Sequence, residues 1–186
     1  MIDFNQNRGC IPLGQYNLNN RLRRLWSQLA MWRRGYLVSL ASNYGDLAMV
    51  EERLYNVTED FRHVFETFFG IEIADQVEYY ITIQASILNE IANAMKSGNA
   101  EVVDNATKRL YQNVDELSAY LSEINPYWSQ ERFNSLFYDY YKQTLLEMVS
   151  VLSGNYSKAI RIYEDLEDYV LEIADYMTEG FIPYFI

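Results

Sequence analysis

Proline is scarce in this chain, three residues in 186, and glycine numbers only eight. That depletion removes the punctuation a turn-rich β fold needs and favours long helices. Cysteine is scarcer still: Cys10 stands alone, which excludes an internal disulfide and suits a reducing compartment. No apolar run approaches the ~18 residues of a membrane span. The opening stretch "MIDFNQNRGC" has no basic segment followed by an apolar one. That argues against a secretory signal, so a cytoplasmic location is expected. Without such a signal the Asn-x-Ser/Thr triplets at Asn56, Asn105 and Asn155 read as chance.

Chemistry-bearing residues are missing too. There is one histidine, His63, and one cysteine, so no His/Cys zinc set can form. A di-iron carboxylate bundle needs two Glu-x-x-His motifs, which the chain lacks. His63 lies off the apolar stripe, near Glu59 and Glu66 on a solvated face. Neither Gly-x-x-x-x-Gly-Lys-Ser/Thr nor Gly-x-Gly-x-x-Gly occurs. A Ser-His-acid triad would rest wholly on His63, and a Cys-His pair on an arm residue, Cys10. An enzyme is therefore the last of the readings, and no catalytic residue, metal ligand or cofactor is expected.

What the chain does have is charge, unevenly placed. Residues 1–45 carry six arginines and one aspartate, a balance of +5. Residues 46–186 carry nine basic and 25 acidic side chains, a balance of −16. The whole chain stands at −11, which repels nucleic acid and anionic lipid, so neither nucleic acid nor membrane is an expected partner. The basic cluster Arg21, Arg23, Arg24, Arg33 and Arg34 is either a small anion site or, more simply, one side of a seam. Its complement is the acidic last helix, with Glu164, Asp165, Glu167, Asp168, Glu172, Asp175 and Glu179. First and last helices are neighbours when an up-and-down bundle closes.

Apolar residues recur at three- and four-residue steps in six segments. The first runs Leu22, Leu25, Leu29, Trp32, Tyr36, Leu40; the second Leu47, Val50, Leu54, Val57, Phe61, Val64, Phe68. The third runs Val77, Tyr80, Gln84, Ile87, Ile91, Ala94; the fourth Val103, Ala106, Leu110, Val114, Leu117, Leu121, Ile124. The fifth carries Phe133, Phe137, Tyr140, Thr144, Met148, Val151; the sixth Ala159, Ile162, Leu166, Tyr169, Ile173, Met177. Stop signals are Gly45, Gly70, Gly98, Pro126, Gly154 and Gly180, and Asp46, Asn99 and Ser129 suit helix starts. The spacing predicts an all-α, up-and-down antiparallel bundle of six helices, each about 35 Å long. Residues 1–18 show no period and read as an N-terminal arm, 19–180 as the bundle, and 181–186 ("FIPYFI") as a hydrophobic tail. The tail either packs over one end of the bundle or makes a contact with a partner.

The chain punctuates itself twice in the same way: "KSGN" at 96–99 and "LSGN" at 152–155. The second helix of each hairpin also shares a string, "RLYNV" from Arg53, "RLYQNV" from Arg109 and "RIYEDL" from Arg161. Three hairpin repeats in series account for both.

Polarity inside the stripes is the remaining feature. Gln84 and Tyr140 sit at apolar positions of the third and fifth segments, each 14 residues before a glycine. Gln28 lies beside the first stripe, and Tyr79, Tyr80, Tyr138 and Tyr141 surround the pair. The candidate interior polar cluster is Gln28, Tyr80, Gln84, Tyr140 and Glu167. Buried amides and phenols need partners, so the cluster is either a satisfied network between helices or a polar cavity for a small ligand.

The stretches "LWSQLAMWRRGYLVSLASNYGDLAMVEERL", "KRLYQNVDELSAYLSEINPYWS" and "LSGNYSKAIRIYEDLEDYVLEIADYMTEGFI", within residues 25–182, resemble an uncharacterised family of small bacterial helical-bundle proteins. The Asn-Pro-x-Trp and Gly-Asn/Asp-Tyr turns carry most of the likeness. The resemblance implies a ferritin-like bundle in which relatives bear histidines at positions matching Leu29, Gln84, Tyr140 and Glu167. It thus implies the fold together with the loss of any metal set. A kinase label borne by some relatives has no support in these residues. Two readings of function follow: a non-enzymatic bundle acting as a homo-oligomer or through a protein partner, and a small-ligand or degenerate metal-binding bundle with a polar interior.

Overall fold

Residues 11–185 are described by the computed structural model. The first ten residues, with Cys10, and the last, Ile186, lie outside them. The helices are α1 (Leu13–Ser42), α2 (Leu47–Phe69), α3 (Ile71–Ser97), α4 (Ala100–Ile124), α5 (Gln130–Leu152) and α6 (Tyr156–Phe185). No strand occurs among the described residues. The predicted all-α antiparallel bundle of six long helices is what the chain forms. Connections are short, down to the single Gly70 between α2 and α3, whose φ of 85° suits only a residue without Cβ.

Both "SGN" strings act as hairpin turns. Gly98 and Gly154 take φ of 73° and 76°, the left-handed region in which helices end. The asparagine that follows each caps the next helix: Asn99 Oδ1 accepts from the Val102 N–H at 3.2 Å, and Asn155 Oδ1 from the Lys158 N–H at 3.3 Å. Ser129 caps α5 through the Arg132 N–H. The α1–α2 connection departs from expectation. Asn43, not Gly45, takes the left-handed position (φ 55°), and Asp46 makes no capping bond. Asparagine tolerates this conformation. Its side chain is also tied down: Lys96 Nζ donates to Asn43 Oδ1 and to the Leu40 carbonyl, each at 2.6 Å.

Two boundaries move. α1 starts at Leu13, inside the stretch read as an arm, because Pro12 sets the first turn and residues 13–17 face mostly solvent. An exposed turn shows no apolar period. α6 runs through Gly180 to Phe185, so residues 181–185 of the tail are helical, with Phe181 buried. Gly180 is a point of close approach. A Cβ there would stand 1.9 Å from Trp128 Nε1. The Asn-Pro-x-Trp turn is tied to the same segment: Asn125 Nδ2 donates to the Gly180 carbonyl at 2.9 Å, and Trp128 Nε1 to the Met177 carbonyl at 3.1 Å. Phe65, Phe69, Phe133 and Phe181 pack round the Trp128 ring at centroid distances of 5.0–6.2 Å.

Each helix packs on its chain neighbours, and α6 closes on α1. In addition the backbones of α1, α3 and α5 approach one another, while among the even helices α2 and α6 meet through side chains, Phe65, Phe68 and Phe69 against Phe181. The odd helices therefore form an inner triangle, and the even helices fill the three outer clefts. Burial follows this order in part: α1, α3 and α5 bury ten, eleven and ten residues and α2 and α4 six and seven, while α6, as long as α1, buries ten. The narrow stripe expected of every helix holds for α2 and α4. On α1 the buried face widens to take in Trp26, Ala30, Arg33 and Leu37. The expected seam between α1 and α6 is present at Arg23, whose Nε and Nη2 grip Asp175 at 2.6 and 2.5 Å.

Candidate functional site

At the middle of the inner triangle the chain buries charge. Arg33 lies one helical turn after Leu29 on α1, and Glu147 two turns after Tyr140 on α5. Both registers face the centre, so both side chains are entombed: that of Arg33 is 4% exposed and that of Glu147 0%. Arg33 Nη2 donates to Glu147 Oε2 at 3.3 Å, and Arg34 Nη1 donates to Glu147 Oε1. Arg34 is the more accessible of the two arginines, and its guanidinium covers the Tyr163 ring at 4.6 Å. One carboxylate thus serves two cations.

Beside this pair, α3 supplies Gln84 and α5 supplies Tyr140 and Tyr141. The Tyr141 hydroxyl donates to Gln84 Oε1 at 2.5 Å. The Arg33 guanidinium lies 5.4 Å from the Tyr140 ring centroid, and Trp26 meets the same ring edge-on at 6.3 Å. Burial pushes both phenols above the ordinary tyrosine value, Tyr141 well above it; for Tyr140 the Arg33 charge pulls partly the other way. Both therefore stay protonated in neutral solution. Thr144 turns its hydroxyl back to the Tyr140 carbonyl at 2.9 Å.

A cavity of about 10 Å³ lies among these groups, walled by nine residues that are all buried. Arg33, Gln84 and Tyr140 are among them, with Leu29, Leu54 and Leu88 from α1, α2 and α3. Arg33 Nε and Nη1, Gln84 Nε2 and the Tyr140 hydroxyl have no hydrogen-bond partner. Five further buried polar atoms without partners, on Trp32, Arg53, Asn113, Ser118 and Asn134, lie away from this void, so what distinguishes these four is that they gather round it.

Of the five residues grouped from the sequence, Gln84 and Tyr140 meet at this cavity. Gln28 is half-buried on α1 and Glu167 is exposed on α6. Tyr80 is half-buried and packs with Tyr79 and with Tyr120 of α4 at 5.8 Å. The charged pair that completes the site, Arg33 and Glu147, was not among the five. Leu29, Gln84 and Tyr140, three of the four positions the resemblance matches to histidines, wall the cavity. His63 is exposed, with Nδ1 3.7 Å from Glu66. Among the described residues no group of three or more His, Cys, Asp or Glu is arranged to hold a metal ion. Among them, too, no helix is long and apolar enough to cross a membrane. The basic cluster of α1 is divided: Arg23 turns to α6, Arg33 and Arg34 to α5, and Arg21 and Arg24 to solvent.

A larger hollow lies elsewhere, where α3 ends, α4 begins and α5 ends. It measures about 690 Å³ and is lined by Met95, Val103, Val149 and Leu152, with Gly98 and Asn99 of the first "SGN" turn. A second hollow of about 490 Å³ adjoins it, sharing Met95, Leu152 and Ser153 and reaching Gly154 of the second.

Comparison of the chain with known protein families, with curated proteins and with solved structures finds no match. The resemblance stated above therefore rests on the quoted residues alone.

Proposed function

We propose that the protein is a non-enzymatic bundle that acts by holding a partner protein at the end where its hairpin turns lie. The observation that carries this reading is the apolar hollow between the α3–α4 turn and the end of α5, of a size that takes side chains from a partner. Val149 is 52% exposed on its wall, and Leu146 is exposed one turn before it. The occupant is an amphipathic helix with apolar anchors and basic flanks, laid into the groove. Charge selects it. The hollow belongs to the part of the chain that carries a balance of −16, and Asp104 lies on its rim. A second copy of the chain would bring the same negative field and be repelled. The cavity beside Arg33 is no competing substrate site, since about 10 Å³ has room for no more than one water-sized occupant. The turn strings at this end also support reading the three hairpins as an internal repeat, with an inner and an outer helix in each.

Titration of the labelled protein with an 18-residue Leu/Lys amphipathic peptide, followed by backbone NMR, tests the reading. Shifts confined to Met95, Val103, Val149 and Leu152, abolished by Val149→Glu with the fold retained, are expected. Shifts spread over the acidic surface without saturation would sink it. So would a solution mass of twice the monomer that Val149→Glu returns to one.

A further inference from the structure

The three outer clefts of the bundle share one register, and one of them lacks a part. The inner helices α1, α3 and α5 end at left-handed residues, Asn43, Gly98 and Gly154. Nine residues before these stand Arg34, Asn89 and Leu145. Each outer helix has a leucine sealed in the core, Leu54, Leu110 and Leu166. Three residues before these stand Glu51, Thr107 and Tyr163.

In two clefts the outer residue crosses to the inner one. Glu51 of α2 accepts from Asn89 Nδ2 of α3 at 3.0 Å. The Tyr163 ring of α6 lies under the Arg34 guanidinium of α1 at 4.6 Å. In the third cleft the two registers hold Thr107 of α4 and Leu145 of α5. Threonine is short, and leucine offers its hydroxyl no partner. Thr107 instead lines the hollow of about 690 Å³, with Val149, one turn past Leu145, on the opposite wall. α4 and α5 also pack together less extensively than any other pair of neighbours round the ring. The hollow is thus the space left by a cross-helix side chain that α2 and α6 supply and α4 does not.

The walls restrict what can fill it. Met95, Val103, Val149 and Leu152 are apolar. A carboxylate such as Glu51 brings to its own cleft would lose its hydration here with no amide opposite. An aromatic ring, the group that α6 supplies at this register, suits both the space and the walls. It is flat and apolar, and it attracts the Met95 sulfur, as an aliphatic side chain does not. Rings seated in pockets are also the usual anchors of protein interfaces.

We infer, on the partner-binding reading above, that the partner helix anchors itself by an aromatic side chain seated between Thr107 and Val149, in the place that Tyr163 takes in the α6 cleft. Its basic flanks bring the helix to the acidic surface, and the ring fixes where it stops. Seating the ring completes the α4–α5 seam, so the partner stabilises the bundle as it binds.

The test uses the full chain and two probes: the Leu/Lys peptide above, and the same peptide with one central leucine replaced by phenylalanine. The phenylalanine peptide is expected to bind about fivefold tighter, the gain a sulfur–aromatic contact allows. It should also move the Met95 and Val149 methyl signals upfield through its ring current, and raise Tm. Thr107→Tyr places the missing ring on α4 itself. It should hold or raise Tm, as filling a hollow does, and weaken binding of the phenylalanine peptide about tenfold or more. Thr107→Leu, which fills part of the space, takes its place should Thr107→Tyr fold poorly. Equal affinity for the two peptides would overturn the aromatic anchor while leaving the hollow a helix site, and so would undiminished binding of the phenylalanine peptide by the filled variant. If neither peptide shifts the residues of the hollow, the partner-binding reading itself falls, and the anchor with it.

Discussion

Replacing Glu147 by leucine asks how much of the bundle rests on one buried carboxylate. Glu147 is wholly buried, and among the described residues it is the one carboxylate that accepts a hydrogen bond from Arg33. Two further nitrogens of that guanidinium already lack protein partners. In the variant the Arg33 charge would stay in the interior with no carboxylate beside it. Removing one partner of a buried pair costs about 3–5 kcal/mol, against a total stability of about 5–15 kcal/mol for a domain. The burial of a leucine does not offset this, because the cost lies in the charge left behind. Arg34 is 24% exposed and can swing toward water, so Arg33 carries most of the penalty. The control is Arg33→Met with Glu147→Leu. It removes both charges and fills the space with apolar atoms, and it should regain about 2 kcal/mol or more of the loss. Urea unfolding followed by far-UV circular dichroism reads both variants, and an unchanged slope with denaturant certifies the comparison. A Glu147→Leu variant within about 1 kcal/mol of the parent would refute the reasoning, since a loss that small is what a surface pair gives. It would mean that the Arg33 head group reaches solvent.

Two further substitutions test the ends of the bundle. Gly180→Ala should destabilise by about 1–3 kcal/mol, because its Cβ would stand 1.9 Å from the Trp128 ring, although helix propensity alone favours alanine by about 1 kcal/mol; urea unfolding with equal or greater stability would defeat the packing account. The Arg23 hydrogen bond, helped by Asn19 and opposed by burial, holds the Asp175 carboxyl below its ordinary 3.8. A lowered native value contributes stability above the unfolded value that is lost as pH falls through the native one. Asp175→Asn should therefore flatten the fall in Tm below about pH 4, and parallel curves for parent and variant would refute the link.

Much of this fold could be read before it was seen. The three- and four-residue steps place Val57, Ile91, Leu110 and Leu166 in the core, where they are buried. Glycines and caps at 98–99 and 154–155 mark two turns correctly, because a left-handed residue followed by an asparagine cap has few other uses. Gly180 misleads because glycine also serves close approach, and nothing local announces a tryptophan 52 residues earlier. The site was half legible. Gln84 and Tyr140 stand out as polar side chains at apolar positions. Arg33 and Glu147 occupy equally interior registers, four after Leu29 and seven after Tyr140, but charged residues are usually sorted to the solvent side. Gln28 and Glu167 lie next to stripe residues in sequence, yet each residue of a helix turns about 100° from the last. What no periodicity supplies is which helices lie inside, and hence which stripes confront one another.

That division into inner and outer helices explains where the polarity went. An outer helix needs one apolar face, and its acids turn outward. Among the described residues α2, α4 and α6 bury no charged side chain, only the uncharged Thr58, Asn113, Ser118 and Thr178, which is why the charge of −11 is tolerated. An inner helix is covered on nearly every side, so polar groups that its sequence holds at inward registers are trapped among the other two. α1 brings cations, α5 a carboxylate and phenols, and α3 an amide. Any one alone would be a buried group without a partner, and costly. Together they satisfy one another except for four donor groups, which converge on a single void. A group that must be met by all three inner helices at once can form only when they are assembled in this order. The polar centre therefore discriminates against other pairings of six similar amphipathic rods, which apolar stripes at a common spacing tell apart poorly. On this argument the charged core sets the arrangement of the helices, and the surrounding aliphatic contacts supply most of the free energy that holds it.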